Sequence, residues 1–481
     1  MKKPKAAGNW NTESIHSIPG MHSGRTLCYG LTDEDRGIKM NTPIYDYIKK
    51  YAASGTVRGH MPGHKGRAPV AGLEALYRCD ITEICGADSL FEADGIIAES
   101  EKNMSSLYGT AATAYSAAGS TLCIQAMLAI MKNEGRRVIA LRNVHRAFLN
   151  AAALLDMDVE WSIPDYNGGI LSGRADMKDI ERLLAADERP ACVYVTSPDY
   201  TGVIADIPAL SRLCRKYGAK LIVDNAHGPH LAFMPENIHP IALGADMCCD
   251  SAHKMLPALT GAAMLHTSRS EYAPLLKQAM GLFASTSPSY PVMMSLDICN
   301  RYIAESIRSD ISVNLERLAA FREKFSGDIL FSGDDPFHVT IRAAESGYNG
   351  IDFAQKLREN GTECEYADHD TVILLMAPFS TDEDFAGLSA AVLATVRKSE
   401  KTAPAKAAFA PKLPEKAMSI REAVFAQSEV IPVEQAEGRI CGAVLVPCPP
   451  AIPIAASGEV INRECINIFK RYGIESVSVV K

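Results

Sequence analysis

The sequence predicts an α/β protein with a mainly parallel central sheet covered by helices, followed by smaller α+β units. Three observations carry that expectation. Strand-like runs alternate with helical segments from about residue 96 onward. Past about residue 310 the alternation gives way to a mixed pattern. With 481 residues and 47% hydrophobic content, the chain is long enough to bury more than one core.

Residues 1–40 are polar, rich in glycine and charge, and without helical or strand period, so they read as a disordered tail. Met40 stands as an alternative start. The pattern begins at MNTPIYDYIKKYAASG, where Thr42 is placed to cap a helix that has Pro43 at its first position. IIAESEKNMSSLYG and TLCIQAMLAIMKNEG read as helices and RRVIALRN as a strand. AFLNAAALLDM is helical, ACVYVTSP a strand, IPALSRLCRKYG a helix and AKLIVDNA a strand. Ligands of such sheets gather beyond the carboxyl ends of the strands. Residues 41–310 therefore read as an N-terminal segment plus a large ligand-binding domain. NLERLAAFREKF, FHVTIRA, IDFAQKLREN and TVILLMAP predict a small α+β domain over 311–400. KTAPAKAAFAPKLPEK (401–416) is a Pro/Ala/Lys linker, and 417–481 form a short C-terminal unit.

Composition excludes several classes. A net charge of −8 argues against a broad nucleic-acid-binding surface. The thirteen cysteines are scattered without a CxxC pair and read as the reduced thiols of a cytoplasmic protein. No run reaches the roughly 18 apolar residues of a membrane span. MKKPKAAGNW is basic but has no apolar stretch behind it, so no secretory signal is expected.

Two residues then stand out. Asp224 closes the apolar run LIV, and Lys254 follows ADMCCDSAH, a second strand and loop. An amine and a carboxylate at strand ends suit pyridoxal 5'-phosphate: the lysine forms a Schiff base, and the acid keeps the pyridine nitrogen protonated. A helix N-terminus favours the phosphate. AAGST (117–121), before a helix, supplies Gly119, Ser120 and Thr121 there, although helix capping alone explains such a triplet.

Other pairs read more plainly. His60 and His64 have metal-pair spacing, but Pro62 and Gly63 between them make a helix improbable, and no metal is expected. His227 and His230 flank Gly-Pro and read as a turn. Cys248 and Cys249 face opposite ways if they lie on a strand, so neither reads as a nucleophile. An isolated His145 would be an ordinary strand-end histidine; its place in RNVHR gives it weight.

The order of GST, RNVHR, VTSPDYTG, VDNAHGPH and SAHKMLPALT resembles the Orn/Lys/Arg decarboxylases of the aspartate-aminotransferase fold. GHMPGHKGR (59–67) and PCPPAIPIAASGE (447–459) extend the resemblance over roughly residues 41–481, the length of the short bacterial form. It implies PLP-dependent transferase fold type I and decarboxylation of a basic amino acid, arginine favoured and lysine or ornithine possible, feeding polyamine synthesis. It implies Lys254 as Schiff-base lysine, Asp224 on the pyridinium nitrogen and His145 stacked on the ring. Ser120, Thr121, Ser251 and His253 would hold the phosphate, and His227 would lie near the ring's oxygen side. Lys254 or His253 would return the proton. A serine or threonine of STSPSY (285–290), Ser287 above all, would reach a neighbouring subunit's phosphate, making the protein a homodimer or larger, with neither nucleic acid nor membrane as partner.

This chain departs from the family at Asn225, where Glu is usual, and at ADSLFEADG (87–95), Ala451 and Ser457. For the substrate's distal cation, Glu83, Asp88 and Glu459 are the candidate partners. A competing reading is an aminotransferase or β-eliminating lyase of the same fold, with Arg342 of HVTIRAA holding the substrate carboxylate. A catalytically silent homologue acting as a binding partner is the third.

Overall fold

The computed structural model describes residues 40–166, 169–404, 412–444 and 452–481. The tail, the middle of the linker and the PCPPA stretch with Ala451 thus lie outside the described residues. The strands are β1 (Ala112–Ser116), β2 (Arg137–Leu141), β3 (Val159–Ser162), a ribbon of β4 (Asp165–Tyr166) and β5 (Gly173–Arg174), β6 (Ala191–Thr196), β7 (Lys220–Asp224), β8 (Met247–Asp250) and β9 (Ala263–Thr267).

Seven of these form the central sheet, in the order β1-β9-β8-β7-β6-β2-β3. Pairing is parallel from β8 through β7, β6 and β2 to β3. β9 runs antiparallel to both β1 and β8, so the sheet is mainly rather than wholly parallel. β9 carries no readable sequence signal, because AAML is too short and uniformly apolar to show a period.

Alternation along the strands explains the layers. Val138 and Ala140 pack on one face with Leu122, Phe148 and Met247, whereas Ile139 and Leu141 pack on the other with Leu210, Val223 and Ile180. Each fully buried leucine or isoleucine contributes on the order of 1.5–3 kcal/mol. Cys248 joins the second face and Cys249 the first, as alternation requires.

Chain order places the strand reversal between β2 and β6, and the residues following β2, β6, β7 and β8 emerge along one edge. Register aligns Thr196 with Asp224, and Asp224 with Cys249.

Beyond the helices Tyr290–Glu305 and Ile307–Phe325, an antiparallel sheet of β10 (Phe331–Ser332), β11 (His338–Ile341), β12 (Tyr366–Ala367) and β13 (Val372–Leu375) runs in the order β10-β11-β13-β12. Helices Gly350–Glu359 and Asp382–Lys398 accompany it, each with a side-chain cap at its start, Asn349 and Thr381 respectively. At the amino end, Thr42 holds the N-cap position before Pro43 but makes no cap hydrogen bond; its hydroxyl accepts from Arg301 Nη2 at 2.5 Å.

The C-terminal segment pairs β14 (Ser428–Pro432) with β15 (Ser476–Val480) and packs the helix Arg463–Arg471 beneath Val433, Ile461 and Val479. It is fastened to β2 by a buried ion pair. Arg142, the residue after β2, donates from Nη1 and Nη2 to Glu459 at 2.8 and 2.7 Å and lies 4.9 Å over the Trp161 ring. The two side chains are 6% and 3% exposed, so removing one strands a charge in the interior. Glu459→Ala is expected to destabilise the fold by about 3–5 kcal/mol in denaturant unfolding. A paired Arg142→Met, Glu459→Leu replacement should recover most of that loss.

Candidate active site

Strand ends create the site. Asn143 and His145 follow β2, Thr196 ends β6 and Tyr200 lies in the turn after it, Asp224 ends β7, and Ser251, His253 and Lys254 follow β8. These residues line one cavity of about 310 Å³ together with Gly119, Ser120, Thr121, Ala226, His227, Glu365 and Ile452. Asp224 and Lys254, argued from sequence as a pair, thus share one enclosure.

The helix Gly119–Asn133 points its first residues into this cavity. Gly119 enters it at φ +72°, a left-handed conformation that only glycine takes at little cost. Its N–H is spent on Gly261 O at 2.8 Å. Ser251 Oγ donates to Ser120 Oγ at 2.9 Å, so hydroxyls from two elements meet at the helix start.

His145 caps the next helix, Arg146–Leu155: its Nδ1 accepts from the Ala147 N–H at 3.1 Å. That bond places the ring proton on Nε2 and fixes the imidazole plane. Burial lowers its pKa, with Asp224 opposing and Lys254 adding to the shift, and favours the neutral ring. Asp224 accepts from Tyr194 Oη at 3.2 Å and from the Ala226 N–H at 3.2 Å. His253 Nδ1 donates to Ala262 O at 2.9 Å, which leaves Nε2 of the neutral ring as an acceptor.

A cofactor with ring, phosphate and carbonyl carbon fits these groups. Asn143 Oδ1 and Nδ2 and Thr196 Oγ1 are buried, line the cavity and have no protein hydrogen-bond partner. Orphaned buried polar atoms of this kind call for a polar ligand. Both residues lie within the motifs RNVHR and VTSPDYTG but carry no sequence signal of their own.

The structure corrects the candidates for the substrate's distal cation. Glu459 is already bound by Arg142 and does not line the cavity. Asp88 is a helix-start hub with φ +70°, its carboxylate accepting from Gly95 and Ile97 N–H at 2.9 Å each. Glu83 is exposed and accepts from the neighbouring Thr82 hydroxyl. Besides Asp224, the acid that lines the cavity is Glu365, just before β12, whose Oε1 accepts from Tyr200 Oη at 2.9 Å. Nothing in sequence linked it to Lys254, because it arrives from the small sheet.

Arg342 is also displaced from its expected place. It pairs with Glu345 and faces a separate acidic cavity lined by Asp165, Asp334 and Asp370. Ser287 lies outside the cavity of its own chain, in the stretch before the helix Tyr290–Glu305.

The other histidines have their own partners. His60 Nε2 meets Tyr51 Oη at 2.6 Å, and His64 Nε2 meets Asp80 at 3.0 Å. His227 and His230 lie in the turn expected after β7, and that turn is buried; His230 meets Asp335 at 3.1 Å. Under the site, His239, Cys248 and Asp250 offer ligand atoms within 4.8 Å of one another, the one such group among the described residues. The Asp250 oxygens are taken there by Asn225 Nδ2 at 2.7 Å and His239 at 3.0 Å, with His266 at 3.4 Å. Burial pushes the Asp250 carboxyl up, but the two imidazoles outweigh it and hold it below the usual range.

A lysine, a strand-end acid and a helix-borne hydroxyl cluster on this sheet define an enzyme of the pyridoxal-phosphate fold type I class. Residues 42–332 match the major domain of the Orn/Lys/Arg decarboxylases and residues 402–472 their C-terminal domain; the chain belongs to this family. It is 27% identical over 459 residues to an arginine decarboxylase of Bacillus subtilis, covering 89% of this chain and 93% of that one. It shows the same identity to the uncharacterized protein YaaO of that organism, over 90% and 94% of the two chains. In fold it is similar to the constitutive lysine decarboxylase of Escherichia coli, with TM-score 0.74 and 18% identity over 92% of this chain and 82% of that one. Pyridoxal phosphate is the cofactor implied by the family and by the PLP enzymes that share the fold.

The double duty of His145 is separable. His145→Ala is expected to cost about 1 kcal/mol of apoprotein stability as a lost cap. His145→Asn should keep the cap and the stability yet weaken cofactor binding, read by thermal unfolding against cofactor titration.

Proposed function

We propose that this protein decarboxylates a basic amino acid, arginine in preference to lysine or ornithine, to the amine and carbon dioxide. The observation that carries the reading is Glu365 in the wall of the cavity that also holds Lys254 and Asp224. An acid there suits a distal ammonium or guanidinium, and Tyr200 fixes the carboxylate for it.

Ser120, Thr121, Ser251 and His253 would hold the cofactor phosphate. Lys254 would anchor its carbonyl carbon, and Asp224 would balance the charge on its ring nitrogen. His145 would lie against the ring, and His227 would sit beside the lysine. The cofactor, when bound, supplies the electron sink for cleavage of the carbon–carbon bond. The chain's own share is to orient the substrate carboxylate, exclude water and return a proton to the α-carbon from Lys254 or His253.

The reading extends to a cytoplasmic homodimer with Ser287 reaching the partner's phosphate, and to a role in polyamine synthesis. Val57, Met61, Val70, Leu73 and Leu76 stay 42–92% exposed, an apolar surface that a second copy would cover. It also keeps the division into residues 41–310, 311–400, the 401–416 linker and 417–481.

Purified protein loaded with the cofactor and offered arginine, lysine and ornithine separately should release carbon dioxide and the matching amine, fastest with arginine. Accumulation of keto acid without carbon dioxide would instead establish an aminotransferase. Lys254→Ala should lower kcat by at least about 10²–10⁴-fold, the range for a positioned proton-transfer group. Glu365→Gln should lower kcat/KM for the basic substrate about 10–100-fold, mostly through KM, since a charge-assisted hydrogen bond contributes about 1.5–3 kcal/mol.

A further inference from the structure

Lys254 Nζ lies 2.8 Å from His227 Nε2, and His227 Nδ1 lies 3.0 Å from His338 Nε2. His338 Nδ1 in turn lies 2.8 Å from Asp335 Oδ2, while Asp335 Oδ1 meets His230 Nε2 at 3.1 Å. The chain of contacts leaves the large sheet at His227 and enters the small one at His338, on β11. His227, His338, Asp335 and His230 are 4%, 0%, 1% and 0% exposed, so no bulk water competes for these bonds. Gly202 permits this approach: a Cβ there would meet His338 Cβ at 2.5 Å.

Donor arithmetic fixes the tautomers. An ionised carboxylate only accepts, so the His338 proton sits on Nδ1, facing Asp335. His338 Nε2 of the neutral ring then accepts, so His227 must donate from Nδ1. His227 Nε2 is left as an acceptor facing the Lys254 amine. Asp335 thereby dictates, two rings away, that Lys254 meets a base.

We propose that His227, His338 and Asp335 form a proton relay that takes the proton of Lys254 Nζ and stores it at the His338–Asp335 pair. The Nζ–H bond breaks and the proton joins His227 Nε2. The proton already on His227 Nδ1 passes to His338 Nε2, leaving an imidazolium beside the Asp335 carboxylate. Lys254 becomes a neutral amine, His227 is neutral before and after, and the reverse transfer returns the proton.

The electrostatics support the direction. Burial, then the charge of Lys254 and that of His338 once it is protonated, hold the His227 pKa well below the ordinary imidazole range, so it conducts a proton rather than keeping one. Burial alone would push Asp335 up, but His230 and His338 outweigh it and keep the carboxylate ionised. The other titratable groups lining the Lys254 cavity are His145, Tyr200, Asp224, His253 and Glu365. Around Asp335 stand His230 and Arg322, whose Nη2 donates to the backbone of Pro336 and His338 at 2.7 and 3.2 Å.

The relay rests on reading Lys254 as the reactive amine, and the two are tested apart. Borohydride reduction of the cofactor-loaded protein, followed by peptide mapping, shows whether the cofactor is fixed on Lys254. Reductive methylation of the full-length apoprotein with formaldehyde, across a pH series, reports the fraction of Lys254 present as free amine. In Asp335→Asn and His338→Gln, Lys254 labelling at neutral pH is expected to fall about tenfold or more, one pKa unit toward an ordinary lysine. Simple removal of a negative charge predicts the opposite, because a nearby carboxylate stabilises the ammonium. Unchanged or faster labelling in folded Asp335→Asn therefore overturns the relay. His227→Asn, which cuts the contact to Lys254 itself, must slow labelling in the same way should either small-sheet variant fail to fold. Cofactor mapped to another lysine would overturn the anchor reading instead.

Discussion

One topological constraint underlies the rest: the parallel strands of the central sheet all finish on the same edge. A parallel sheet forces each connection to cross over to the opposite end, so residues following β2, β6, β7 and β8 converge although they lie far apart in sequence. Asn143, Thr196, Asp224 and Lys254 meet for that reason. Antiparallel β9 closes this edge beside β8, and the turn leading into it holds Gly261, whose carbonyl receives the Gly119 N–H. Neither the cofactor cradle nor the relay would exist if the strand order were kept and one strand direction reversed.

What sequence conveyed follows the same division. The parallel strands β2, β6, β7 and β8 carry apolar runs long enough to be read, whereas β1, β3 and β9 do not. The ends of β7 and β8 pointed to Asp224 and Lys254. The family resemblance added His145, Ser251 and His253, residues without any local signal of their own. Glu365, His338 and Asp335 escaped, because they reach the cavity through the packing of a second sheet. Proximity of that kind has no trace in composition or spacing. Glu83, Asp88 and Glu459 failed for a related reason: an acid in a loop looks alike whether it awaits a ligand, ties down a helix start or neutralises a buried arginine.

The departure at Asn225 has a physical account. Its amide donates to Asp250, one strand further along, which also holds His239 and His266. A carboxylate is therefore present beneath the site, carried by β8 rather than by the residue after Asp224. Glutamate at 225 would set two buried acids against each other at hydrogen-bond distance, so the polar cluster favours the amide.

The Arg142–Glu459 tie bears on how such a chain can diversify. Ile452 of the C-terminal segment lines the Lys254 cavity, and Glu459 neutralises a cation rooted at the end of β2. A recombination event that exchanged only the portion beyond the linker would import a new cavity wall and an uncertain counter-ion at once. The two portions are thus bound to be inherited as a set, despite the Pro/Ala/Lys-rich stretch of sequence that joins them.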